Sequence, residues 1–233
     1  LGQFDIFAPE PVAPHGRLLL VAPNIAHAET ELGVDPKDFR LWVCLHEETH
    51  RVQFTAHPWL RGYLREQAQV VTELTDMSAP GWEDLARLVT GRTGRGERPV
   101  SLLDLLPDTV DVRSTLAQVT AVMSLLEGHA DVVMDRVGPR VITSVARIRA
   151  RFERRRDGRS GMDRLVRRVL GMDVKLAQYR DGAKFCRAVI GAAGIDGLNR
   201  AFTAREALPE LAEIHEPRRW LERMGLYLER MGL

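Results

Sequence analysis

The sequence predicts a mainly α-helical, multi-helix fold with a small β-hairpin or edge strand near the N-terminus. Apolar residues recur at helical spacing along most of the 233 residues. Strand character is limited to the short apolar stretch inside "GRLLLVAPNI", residues 16–25, with "GQFDIF" before it as a candidate partner. No domain-scale repeat interrupts the pattern, which favours a single domain over residues 1–233.

The clearest helix begins after Asp35. This residue suits the N-cap position, Pro36 suits the first helical position, and Asp38 favours the positive end of the helix dipole. The helix is expected to end near Ala56, before Pro58. Further helical patterns cover residues 59–76, 81–90, 110–137, 140–156, 162–170 and 172–192, followed by shorter pieces, and the Gly/Arg segment 91–99 is expected to form a loop.

Charge and composition narrow the classes of function. Thirty-three basic and 32 acidic residues nearly cancel, so no global charge directs the protein to nucleic acid or to an anionic membrane. No apolar run approaches the length of a membrane span, and no signal-peptide pattern is found. Cys44 and Cys186 each lie in an apolar helical pattern, which indicates reduced cysteines. We therefore expect a cytoplasmic protein without a membrane partner.

The segment "LHEETHRVQF", residues 45–54, carries the strongest chemical signal. His46 and His50 are one helical turn apart on the same face, so both imidazoles can reach one metal ion. Glu47 is rotated about 100° from His46 and can lean in beside the metal as a general base. The apolar residues just upstream indicate that this helix is buried.

A third metal ligand is expected in "LLEGHADVVMD", residues 125–135. Glu127 and Asp131 are also one turn apart on an apolar helix, and buried carboxylates require a partner. Glu127 can bind the metal, while Asp131 can accept the remaining ring N–H of a metal-binding histidine. His129 points to another face and is interpreted as a hydrogen-bonded histidine near the ligands, with direct ligation as the alternative.

These segments, together with "GMDVKLAQYRDGAKF", resemble a bacterial family of hydrolases classed as zincin-like metallopeptidases, type 2. Some of its members are labelled as associated with the biosynthesis of a deazaflavin coenzyme. The resemblance implies a metal-dependent hydrolase with one zinc ion. Residues 127–131, Glu-x-x-Ala-Asp, also resemble the third-ligand motif of glutamate-type zincin peptidases, which implies that Glu127 is a ligand and that Asp131 supports the ligands. The sequence departs from peptidase zincins in having little strand character, so the substrate, a peptide or a small amide, stays open.

Catalysis would require Glu47 to take a proton from a water molecule at the metal and to return it to the leaving amine. A second group besides zinc would have to stabilise the developing oxyanion. Tyr179 is the preferred candidate, with Tyr63, His57 and His215 as alternatives. A strand at residues 18–21 could also present its edge to an extended peptide, although a strand covered by the N-terminal segment is the favoured interpretation.

Two other classes of function remain open. Zinc could be structural, which would need a fourth protein ligand such as His129 or His57. Alternatively, residues 140–168 contain eleven arginines and three acids, a composition that could contact the phosphates of a nucleic acid or nucleotide. Aromatic residues are almost missing from this window, so a solvated helix face is favoured and nucleic acid is not expected as a partner. The oligomeric state is left open.

Overall fold

The computed structural model describes residues 1–7, 16–76, 110–156 and 172–227 of the chain. It confirms a mainly helical fold with a small N-terminal β-hairpin. The elements are β1 (Gly2–Asp5), β2 (Arg17–Leu20), α1 (Ala22–Leu32), α2 (Pro36–Ala56), α3 (Pro58–Asp76), α4 (Val110–Val141), α5 (Val145–Arg156), α6 (Met172–Asn199), α7 (Leu211–His215) and α8 (Pro217–Arg223), with two 3₁₀ turns at Arg200–Phe202 and Arg205–Ala207. None of the helices in these ranges is long and apolar enough to cross a membrane.

The two predicted strands pair as an antiparallel hairpin. Gly2 lies opposite Leu20 and Asp5 lies opposite Arg17. The backbone N–H of Val21 donates to the carbonyl of Leu1 at 2.8 Å, which extends the pairing by one bond. The "GQFDIF" segment is therefore the partner of the apolar strand, and its backbone packs on α2.

Helix α1 is absent from the sequence-based prediction. Its N-cap, Val21, forms no side-chain hydrogen bond to the helix, so the usual polar signal for a helix start is missing. The helix ends at Gly33, which adopts φ 57° and donates its N–H to the carbonyl of Thr30. Ile25, Ala28 and Leu32 are buried against α2 and α5 in an apolar cluster separate from the main core.

Helix α2 begins and ends where the sequence predicts. The Asp35 carboxylate accepts a hydrogen bond from the backbone N–H of Asp38 at 2.9 Å. Asp38 in turn accepts from the hydroxyl and the backbone N–H of Ser144, just before α5. These bonds hold the first turn of α2 against the start of α5.

The remaining boundaries follow the prediction with two differences. Helix α4 continues past the expected end to Val141, and α5 begins only at Val145. Helix α6 is interrupted at Gly194, where φ is 73°, close to its expected end, and a last helical turn follows. The predicted helices at 81–90 and 162–170 and the predicted loop at 91–99 lie outside the described residues.

Helices α4 and α6 cross at very short distance. A Cβ atom added to Gly128 would lie 2.2 Å from the carbonyl carbon of Gly182, and one added to Gly182 would lie 1.9 Å from the oxygen of Ser124. Only glycine fits at this crossing. Side chains of α3, α4, α6 and the C-terminal segment form the main apolar core around it.

Candidate metal centre

Two helices bring three potential ligands together. His46 and His50 come from α2, and Glu127 comes from α4, which packs against α2. The two Nε2 atoms are 3.2 Å apart, and they lie 3.4 Å and 3.6 Å from the Glu127 carboxylate oxygens. The structure thus places the three side chains that the sequence assigned to the metal at one point, and they are the one such group among the described residues.

Gln53, one turn beyond His50 on α2, fixes the orientation of the His50 ring. The Gln53 side chain lies 2.9 Å from the carbonyl oxygen of Leu126 and 2.9 Å from His50 Nδ1. The Leu126 carbonyl can only accept, so the Gln53 amide nitrogen donates to it and the amide oxygen faces His50. His50 Nδ1 must therefore carry a proton, which leaves Nε2, facing His46 and Glu127, as the ring atom available to a metal ion.

This arrangement fits a metal ion. His50 Nε2 and the two carboxylate oxygens are electron-pair donors, and His46 Nε2 faces them at the distances given above. Zinc with ligands at about 2.0–2.2 Å in tetrahedral geometry places neighbouring ligand atoms about 3.3–3.6 Å apart. Lone pairs held this close repel one another unless a proton or a cation lies between them. The site therefore has the donor atoms and the spacing that zinc requires.

The charges of Glu127 and His50 stabilise each other. Burial by itself would raise the pKa of Glu127, but hydrogen bonds and charges from His46 and His50 hold this pKa well below its usual value. Burial would lower the pKa of His50, whereas Glu127 and Gln53 more than compensate and raise it. The carboxylate is thus ionised at neutral pH, as a metal ligand must be.

Glu47 lies on α2 between the two histidines and is only 6% exposed. Burial raises the pKa of its carboxyl group, although the neighbouring charges of His46 and His50 oppose this shift. The backbone of β1 covers the side chain, since a Cβ atom added to Gly2 would lie 2.7 Å from Glu47 Oε1. The hairpin thereby excludes solvent from the carboxylate.

His129 is close to the ligands but faces away from them. Its Nδ1 atom lies 3.0 Å from the Gln53 amide nitrogen and accepts the second N–H of that amide. Its ring also packs edge-on against Phe202, with centroids 5.1 Å apart. Burial, together with the charges of His50 and His57, lowers the pKa of His129 to about 4. His129 is therefore a neutral partner of Gln53.

Asp131 differs from the expectation. We expected its carboxylate to accept the ring N–H of a metal-binding histidine, but in the structure it lies 3.8 Å from the guanidinium of Arg149 on α5. The atom that faces His50 Nδ1 is the Gln53 oxygen. Asp131 is one turn beyond Glu127 on the same helix, so the direction of α4 across α2 carries it past the histidines and towards α5.

The candidates for an oxyanion-stabilising group are spread over the fold. Tyr63 is buried beneath Arg205, whose guanidinium carbon is 4.8 Å from the ring centre. His57 stacks on Phe202 with centroids 5.3 Å apart. His215 pairs with an aspartate of α6 at 3.4 Å. Each of these three has a structural partner that accounts for its position.

Tyr179, the preferred candidate, belongs to α6, but its side chain lies outside the described residues. Its assignment therefore stays a prediction.

The arginine-rich stretch is partly used for packing. Arg149 pairs with Asp131 and Asp135 of α4, and Arg151 donates to the carbonyl oxygens of Leu32 and Gly33 at the end of α1. These contacts agree with a structural role for Arg149 and Arg151. Residues 157–168 of this stretch lie outside the described part.

The sequence-based interpretation missed three residues at this site. Gln53 continues the histidine face of α2 at a spacing of three residues, so helical spacing could have found it. Trp42, one turn before His46, stacks on that ring with centroids 6.2 Å apart, and the same spacing rule applies. Gly2 covers Glu47 through contact between distant segments, and no local signal indicates it.

Comparison with known proteins agrees with the geometry. A family model described as zincin-like metallopeptidase matches residues 1–221. A crystal structure from Chloroflexus aurantiacus, described as a "putative hydrolase with a novel fold", is 34% identical and superposes with a TM-score of 0.63. The match covers 89% of this chain and 58% of that chain, so this chain spans little more than half of its length. No curated protein sequence matches. The chain belongs to the zincin-like metallopeptidase family.

Proposed function

We propose that the protein is a zinc-dependent hydrolase that cleaves an amide or peptide bond. The observation that carries this proposal is the convergence of His46, His50 and Glu127 beside the buried carboxylate of Glu47. Structural zinc sites are closed by four protein ligands, whereas catalytic sites use three and keep one position for water or substrate. Three potential ligands converge among the described residues, which favours catalysis over a structural ion.

The alternative fourth ligands lack support. His129 turns its Nδ1 towards Gln53, and His57 stacks on Phe202. A structural role would also leave the position of Glu47 without an explanation, because a buried carboxylate without a chemical role is costly.

Each residue then has a defined part in the reaction. The Nε2 atoms of His46 and His50 and the carboxylate of Glu127 would hold the ion. Zinc, when bound, lowers the pKa of water and polarises a carbonyl group. Glu47 would accept a proton on its carboxylate and deliver it to the leaving amine. Burial raises the pKa of Glu47, and a raised pKa is the direction that suits a group which both takes up and releases a proton.

The test combines metal analysis with two matched substitutions on α2. Protein purified without a metal-affinity resin should contain about one zinc per chain. The Glu47→Gln variant should keep the zinc and lose hydrolysis of a panel of peptides, small amides and esters by about 100-fold or more. Glu48→Gln is the control, because Glu48 is the next residue but its side chain is 44% exposed and pairs with Arg51.

Three outcomes would contradict the proposal. A wild-type protein that contains no zinc and resists zinc addition would refute the metal site. A Glu47→Gln variant as active as the wild type would remove Glu47 from the mechanism. A zinc-loaded wild type that hydrolyses nothing in the panel would favour a structural ion.

A further inference from the structure

The Gln53 side chain connects both helices of the metal site. It extends from α2, is 3% exposed, and makes three hydrogen bonds. Its two amide N–H groups donate to α4, at the carbonyl of Leu126 and at Nδ1 of His129. Its oxygen accepts from His50 Nδ1. One side chain therefore ties a histidine of α2 to the turn of α4 that carries Glu127.

The two donated bonds fix the amide in one orientation. The Leu126 carbonyl has lone pairs only, so a Gln53 amide turned by 180° would bring two acceptor oxygens within 2.9 Å of each other. The Nδ1 atom of His129 lies 3.0 Å from the Gln53 amide nitrogen and accepts the second N–H. Because the Gln53 amide nitrogen is hydrogen-bonded to α4, the amide oxygen must face His50 Nδ1.

We propose that Gln53 is a positioning residue that sets the tautomer and ring direction of His50 for metal binding. This inference rests on the proposed function and names a residue on which the zinc affinity of that site depends. Without a fixed acceptor at Nδ1, the neutral ring would also populate the tautomer protonated at Nε2, which cannot bind a metal through that atom.

A neutral amide also has an advantage over a carboxylate at this position. The site already holds Glu47 and Glu127 in buried surroundings. A third negative charge beside them would add repulsion, whereas the amide orients the ring without adding charge.

The experiment compares zinc affinity, measured by competition with a chromogenic chelator, among three variants. Gln53→Met keeps the length of the side chain and removes the acceptor and both donors, so zinc affinity should fall about 10- to 100-fold. Gln53→Glu restores an acceptor for His50 Nδ1 but places a second acceptor oxygen against the Leu126 carbonyl, so it should recover only part of the loss. Gln69→Met is the control, because Gln69 is exposed on α3 and donates to Glu73, and the zinc affinity of this variant should match the wild type.

A second measurement needs neither zinc nor activity. Long-range ¹H–¹⁵N spectra of the imidazoles in the metal-free wild type should show His50 protonated at Nδ1 and His129 at Nε2. Assignment uses the His50→Phe and His129→Phe variants. In Gln53→Met, the His50 signals should shift towards a mixture of both tautomers, a change that a purely packing role for Gln53 would not produce.

The outcomes separate the two proposals. A wild type that binds no zinc refutes the proposed function. A wild type that binds zinc while Gln53→Met binds it within about twofold refutes the role of Gln53 alone. If Gln53→Met fails to fold, a wild-type His50 protonated at Nε2 but not at Nδ1 still overturns the inference.

Discussion

Replacing Gly182 with alanine should push apart helices α4 and α6, which cross next to Glu127. The new Cβ atom would lie 1.9 Å from the carbonyl oxygen of Ser124 on α4. Even a contact of 3.0 Å, about the lower limit for real Cβ atoms, requires the helices to separate by about 1.1 Å. Backbone atoms lie at the point of contact, so a rotamer change cannot relieve the clash.

The expected loss of stability follows from two opposing effects. Overpacking of this kind costs about 1–3 kcal/mol, and contact with backbone places this case towards the upper end. Alanine gains about 0.5–1 kcal/mol over glycine as a helix former. We expect a net decrease of about 2 kcal/mol in the free energy of unfolding. Zinc affinity should fall as well, because Glu127 is adjacent to Gly128 at the same crossing.

Gly191→Ala on the same helix is the matched control. Gly191 is exposed, and an added Cβ atom there has no heavy atom within 4 Å. The free energy of unfolding of this variant should rise by about 0.5–1 kcal/mol, a change of opposite sign to that of Gly182→Ala. Urea unfolding followed by circular dichroism measures both variants. A Gly182→Ala variant within about 0.5 kcal/mol of the wild type would refute the reasoning from the helix crossing.

Two further predictions concern charge and fluorescence. Burial opposes ionisation of Glu213, but hydrogen bonds from Arg223 lower its pKa, so Glu213→Gln should cost about 1–2 kcal/mol at pH 7. A carboxyl group whose pKa is lower in the folded state stabilises the protein above the ordinary glutamate pKa of about 4.3. This stabilisation is lost as the pH falls through the pKa of the folded state, so the free energies of unfolding of wild type and variant should converge in acid. Zinc binding should change the emission of Trp42, which stacks on His46, and Trp42→Phe should lose most of that change.

Each of these has its own control. Glu222→Gln removes an exposed partner of Arg218 and should change stability little at any pH, and an equally constant difference for Glu213→Gln would contradict the pH argument. Trp59→Phe should keep the zinc-dependent signal, because Trp59 donates to the carbonyl of Phe202 away from the ligands. An unchanged signal in Trp42→Phe would place zinc elsewhere.

Local features of the chain were predictable because they depend on neighbouring residues. The start of α2 at Asp35 and Pro36 is a capping signal, and the shared face of His46 and His50 follows from helical spacing. Where such a signal is missing, as at the start of α1, the helix was missed. The choice of Glu127 rested on a different argument, that a carboxylate on an apolar helix needs a partner.

Sequence by itself determined the helical class, the candidate metal-binding face of α2 and the carboxylate most suited to complete that site. Tertiary structure alone decided which polar group supports His50. Asp131 and Gln53 both had suitable helical spacing, and the crossing of α4 over α2 directed Asp131 to Arg149 and Gln53 to His50. Tertiary structure also decided that the backbone at Gly2 covers the Glu47 side chain. The physical reason is that helix periodicity is set by hydrogen bonds four residues apart, whereas contacts between helices depend on how complete side-chain surfaces pack.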